Sequence, residues 1–136
     1  MERLTLALLS VSAGAGHVRV AEALKQTADQ ELPHVRAIHA DVMDLVSRLF
    51  RKLYADSYIT IVDSHPALWG YLYSATDADE ADSALNRLRE TIERLNTRKL
   101  MSVLGQMDPD VVICTHFLPA QLLSRRIGKG RFDRPV

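Results

Sequence analysis

Residues 4–17 read LTLALLSVSAGAGH, and their order decides the fold. Leu4–Val11 is nearly all apolar and short. A run of that kind suits a strand buried on both faces, as in a parallel sheet. It gives way to small residues, Ser12-Ala13-Gly14-Ala15-Gly16, which let the backbone turn tightly and let a ligand approach it. Beyond His17, Ala21, Leu24, Ala28 and Leu32 recur at helical spacing until Pro33 closes the segment. Val35–Val42 (VRAIHADV) is a second, more polar strand. Strand, glycine-rich turn, helix and strand make a βαβ unit.

Working outward, Leu49, Leu53, Tyr54, Ser57, Tyr58 and Ile61 recur at i+3/i+4 spacing and predict one or two helices in residues 45–73, with Pro66 opening the second. Residues 79–107 carry Leu85, Leu88, Ile92, Leu95, Leu100, Val103, Leu104 and Met107. That pattern predicts a long amphipathic helix with a charged outer face. Asp108-Pro109-Asp110 breaks it. Val111–Cys114 is a further apolar, buried strand, Pro119–Ile127 a helix, and Pro135-Val136 the opening of another strand. The fold class is α/β. Residues 1–136 form one Rossmann-like domain, an open parallel sheet with helices on both faces. Ligands of such sheets sit outside the C-terminal ends of the strands. Two loops lie there, Ser12–His17 and Thr115–Pro119.

Composition narrows the field. Lys+Arg and Asp+Glu both number 17, and a general nucleic-acid binder would be more basic. The charge is uneven, with a basic stretch at 125–134 and an acidic one at 77–82. Hydrophobic residues make up 47% and charged residues 25%, as in ordinary globular domains. Cys114 is the one cysteine, so there is no intrachain disulfide and no structural zinc pattern, and a reducing, cytosolic setting fits. Arg3 and the apolar run after it imitate a signal peptide, but Glu2 and the amphipathic pattern that follows argue against one. No stretch approaches the ~18–20 apolar residues of a membrane span, so any membrane contact is peripheral.

The chemistry concentrates in Ser12, Ala13, Gly14, Ala15, Gly16 and His17. The helix behind them points free N–H groups into the same space and favours negative charge there. No Gly-Lys-Ser/Thr follows, so this is not a Walker A loop, and Arg19 stands where a dinucleotide fingerprint has its third glycine. A plain strand-to-helix turn is the alternative. His17, in the first helical turn, lies beside the positive end of the helix dipole, which favours the uncharged ring. An uncharged imidazole can accept a proton as a general base must. Thr115 and His116 end the strand on the same side, and His116 is either a ligand contact or a structural residue. His34, His39 and His65 show no metal-ligand spacing; Asp41 and Asp44 read as caps. Arg48, Arg51 and Lys52 lie near Phe50, Trp69 and Tyr71, a mixture that suits an anionic membrane surface or, alternatively, a helix pair with aromatics in its core.

LSVSAGAGHVRVAEAL at 9–24, RKLYADSYITIVDSHPALWGYLYSATD at 51–77 and PDVVICTHFLPAQLLS at 109–124 together resemble the N-terminal domain of the monogalactosyldiacylglycerol synthase family. That family includes plant galactolipid synthases and bacterial processive diacylglycerol glucosyltransferases. The resemblance implies one half of a GT-B fold, with the glycine loop by the donor phosphates and His17 as the base that deprotonates the diacylglycerol hydroxyl, with inversion. It implies a UDP-sugar donor, UDP-glucose or UDP-galactose, no metal and no further cofactor. The domain then supplies the acceptor and membrane side, at the inner face of the cell membrane, and the donor domain is absent from this chain. Two other classes remain open: a non-catalytic domain that binds membranes or a partner, and a different enzyme that binds a nucleotide in its own glycine loop.

Overall fold

The structure is a computed structural model that describes residues 3–52 and 84–136, the side chains of residues 84–93 excepted. Along the chain run β1 (Leu4–Ser10), α1 (Gly16–Glu31), β2 (Val35–Asp41), a 3-10 turn (Val42–Leu45), α2 (Ala84–Met107), β3 (Val111–Cys114) and α3 (Phe117–Gly128). Residues 48–52 are also helical. Contacts divide the chain into two compact units, Met1–Val46 with Thr97–Val136, and Ser47–Asn96. The sheet belongs to the first.

The sheet has three strands in the order β2-β1-β3, and both pairings are parallel. The chain starts in the middle, steps to one edge, and crosses back to the other. By the right-handed rule for parallel crossovers, a chain that leaves the central strand for one edge and returns to the other has the strand order of a Rossmann-like α/β domain. On one face Leu8 packs with Ala21 and Ala28 of α1 and with Ala37 of β2, and Leu6 leans on the group. Alternation turns Ala7 and Leu9 the other way. Both are 0% exposed too, so the centre of β1 is buried on both faces, as its nearly all-apolar run predicts. The remaining buried apolar residues include Leu100 and Leu104 of α2 and Leu118, Leu122 and Leu123 of α3.

Three expectations need correction. Leu24 and Leu32 are 39% and 40% exposed, although they share the helical spacing of the buried Ala21 and Ala28. Alanines face the sheet, while Leu24 lies on the flank of α1 and Leu32 is its C-cap, past the last helical residue, so both are left outside. Leu95 is likewise 58% exposed, and its polar neighbours Asn96 and Thr97 are buried instead. β3 is buried on one face only: Val112 is 1% exposed, but Val111 and Ile113 are 40% and 38%. The register pairs those two with Leu6 and Leu8, on the α1 face, and α1 covers the β1–β2 side of it.

β3 is tied down at its start and along its outer edge. Asp110 N–H donates to Thr5 O at 2.9 Å, and Thr5 N–H donates back to the Asp110 carboxylate at 2.7 Å. At the outer edge, Val112 N–H donates to Pro135 O at 2.9 Å, where the sequence predicts a strand to open. The break at 108–110 also behaves as expected. Asp108 takes φ 44° and its N–H donates to Leu104 O, which ends α2. No helix among the described residues is long and apolar enough to cross a membrane.

Candidate functional site

Because the strands are parallel, β1 delivers the glycine loop and β3 delivers Thr115 and His116 to one end of the sheet. The loop leaves β1 at Ser10. Its first anchor is Asp41 at the end of β2, whose carboxylate accepts from Ser12 N–H at 3.1 Å and from Met43 N–H at 3.0 Å. The cap role expected of Asp41 is therefore real, and the same oxygen also tethers the loop. Gly14 adopts φ 90°, a conformation that costs an L-residue energy, so the glycine is required by the backbone here. A Cβ at either Gly14 or Gly16 would meet nothing within 4 Å, so the middle of the loop faces open space. Ala15 is the N-cap of α1 and gives it no side-chain acceptor. Helix ends of this kind carry partial positive charge and free N–H groups, which suit an anionic group.

His17 lies in the first turn of α1 and is half-buried. Its Nδ1 is 2.5 Å from the carbonyl oxygen of Thr115. A carbonyl can only accept, so Nδ1 carries the proton, and in the neutral ring Nε2 keeps its lone pair. Among the described residues no hydrogen bond to Nε2 is seen. This is the arrangement of a proton acceptor whose orientation is held from behind.

His116 occupies a different environment. It is 6% exposed, it is the N-cap of α3, and its Nδ1 accepts from Leu118 N–H at 3.1 Å. Its proton therefore sits on Nε2. Burial, and secondly the nearby His17, push its pKa from 6.5 down to about 4. The two imidazoles meet edge to face at 4.6 Å between centroids. His116 thus stays neutral well below the ordinary imidazole range, and its capping bond makes it structural as well as a neighbour of the loop. The cap also starts α3 at Phe117, two residues ahead of the expected Pro119. Phe117 stacks on His116 at 4.4 Å and is 43% exposed, an apolar edge beside the imidazoles that sequence reading passed over.

Sequence reading also missed a polar contact across the sheet. Ser10, 0% exposed, is hydrogen-bonded to His39 at 2.7 Å. A lone serine closing a run of leucines was the available signal, since a buried hydroxyl needs a partner. Cys114 is half-buried rather than buried, and burial pushes its thiol up to about 11, which disfavours the reactive thiolate. Among the described residues no group of three or more His, Cys, Asp or Glu is placed to hold a metal ion.

Of the expected membrane-facing residues, Arg48, Phe50, Arg51 and Lys52 fall on the helical segment 48–52 of the second unit. Phe50 is half-buried and the three basic residues are exposed. Trp69 and Tyr71 lie outside the described residues.

A parallel sheet with a glycine loop, an uncapped helix start and a histidine at its strand ends defines a Rossmann-like α/β domain. Residues 17–135 match the family model of monogalactosyldiacylglycerol (MGDG) synthase, and the chain belongs to that family. It is also 29% identical over 115 residues to YkoN of Bacillus subtilis (strain 168), described as an uncharacterized glycosyltransferase. That alignment covers 85% of this chain and 30% of the relative, so the chain spans about a third of that protein's length. No solved structure gives a significant match. The chain is a glycosyltransferase-like domain.

Proposed function

We propose that this domain is the acceptor side of a GT-B enzyme that transfers a hexose from a UDP-sugar, UDP-glucose or UDP-galactose, to diacylglycerol with inversion. His17 is the base. The observation that carries this reading is the His17 ring: Nδ1–H is engaged by Thr115 O and Nε2 is left to accept a proton. An acceptor hydroxyl is a poor nucleophile at neutral pH, and a base in line with it takes its proton as the new C–O bond forms. Nε2 receives that proton, the resulting imidazolium keeps its hydrogen bond to Thr115 O, and UDP leaves with the bonding electrons. The open glycine loop and the uncapped start of α1 support placing the donor phosphates nearby. The uridine-binding groups belong to a second, donor-binding domain. The exposed Arg48, Arg51 and Lys52 support peripheral docking on the anionic inner face of the cell membrane.

The test is kinetic, on an enzyme that carries this domain together with its donor-binding partner. His17→Ala should lower kcat by ~10²–10⁴-fold while affinity for UDP stays near wild type. Retention of most of the wild-type kcat would exclude His17 as the base. Loss of UDP affinity with kcat unchanged at saturation would make it a donor-binding residue instead.

A further inference from the structure

Thr115 holds His17 at two points. Its N–H donates to Leu9 O at 2.9 Å, which carries the β1–β3 ladder one residue past the end of β3. Thr115 is thereby fixed to the central strand. From that fixed point its carbonyl accepts from the His17 ring, and its hydroxyl donates to the His17 backbone carbonyl at 2.9 Å. The hydroxyl also lies 3.4 Å from Leu9 O, but it has one proton, and the shorter contact has the better claim on it.

The two bonds do different work. The carbonyl chooses which ring nitrogen is protonated, because only Nδ1–H can satisfy it. The hydroxyl fixes the backbone from which that ring hangs. Without it, the start of α1 would be free to shift relative to β3, because Ala15 supplies no cap bond there. A shift of under an ångström would lengthen the contact between Nδ1 and the carbonyl and release the ring to the other tautomer.

We propose that Thr115 is the positioning residue of the base: its hydroxyl pins the first turn of α1 so that Thr115 O keeps the proton on His17 Nδ1 and Nε2 stays open as acceptor. The proposal rests on reading His17 as the base, but its test does not need turnover. Long-range proton–nitrogen correlation spectra of the 15N-labelled chain report which imidazole nitrogen bears hydrogen. Wild type should show His17 in the Nδ1–H form once neutral, and Thr115→Ser should preserve it. Thr115→Val, equal in shape but without the donor, should give a mixture of tautomers. In the active enzyme the same valine variant should lose roughly 10–100-fold in kcat with KM little changed, and serine should restore it.

An Nε2–H tautomer in wild type would overturn the proposal without any variant, and so would a valine variant that keeps the wild-type tautomer. If valine scrambles the tautomer but His17→Ala leaves kcat intact, Thr115 positions His17 as proposed and the assignment of the base fails.

Discussion

Gly14→Ala and Gly16→Ala should have opposite effects on stability, although the two glycines stand two residues apart in one loop. A Cβ at either position meets nothing within 4 Å, so packing contributes to neither. What separates them is the backbone. Gly14 holds φ 90°, where an L-residue pays roughly 1–2 kcal/mol, whereas Gly16 is the first residue of α1. Both substitutions stiffen the unfolded chain, an effect that stabilises by ~0.4–1 kcal/mol where the native backbone is compatible. Gly14→Ala should therefore lose a net of up to ~1.6 kcal/mol, and Gly16→Ala should gain ~0.4–1 kcal/mol. With an m-value of ~1.5 kcal/mol/M, the urea midpoint should fall by up to roughly 1.1 M in the first case and rise by roughly 0.3–0.7 M in the second. Equal shifts of the same sign would refute the backbone reasoning. The pair also bears on function. If a ligand fills the open space above the loop, Gly16→Ala should weaken its binding while raising the urea midpoint, a combination that damage to the fold cannot produce.

Other expectations follow from single contacts. The depressed pKa of His116 means that the unfolded chain takes up this proton before the folded one does. The stability it contributes is complete above pH 6.5 and is lost as pH falls towards about 4, by up to ~3 kcal/mol at ~1.4 kcal/mol per unit. His116→Asn keeps a capping acceptor and should flatten that part of a stability–pH profile; an unchanged profile would clear His116 of the effect. Asp41→Ala removes the acceptor of two backbone N–H groups and should cost ~1–3 kcal/mol in urea unfolding, with Asp41→Asn recovering much of it. Leu8→Ala, in the fully buried centre of β1, should cost ~2–5 kcal/mol by the same assay. Cys114, with its thiol raised to about 11, should react with a thiol reagent more slowly in the folded chain than in the chain unfolded by urea, which timed labelling will show.

What the sequence announced most clearly was the middle of the sheet and the loop beside it. A nearly all-apolar strand that runs into Ser-Ala-Gly-Ala-Gly-His has few other uses, and β1, α1 and the loop lie where that pattern puts them. Periodicity was less informative about which side of each element is covered. Leu24 and Ala21 obey the same helical spacing, and only the face that α1 turns to the sheet decides that the alanine is inside. Val111–Cys114 is as apolar as β1, yet an edge strand covered on one face and a central strand covered on both can share a composition. The placement of His17 and Thr115 at one end of the sheet followed from parallel topology alone. Their hydrogen bonds did not, because they join residues 98 apart in sequence and depend on register. Asp41 was legible as a cap but not as a tether for Ser12, for the same reason.

The paired bonds between Thr5 and Asp110 have a consequence for how the sheet assembles. They bring together groups 105 residues apart, so this edge has high contact order and closes a long loop. A parallel pair can slip by one residue and keep its ladder, but the slip would turn Val112 outward and Val111 inward. The Asp110 carboxylate accepts from Thr5 N–H only in the native alignment, with Leu6 opposite Val111. It acts as a stop at the starting end of the strand pair. The reach of Thr115 to His17 at the far end of the same pair is thus set, five residues away, before the strand begins.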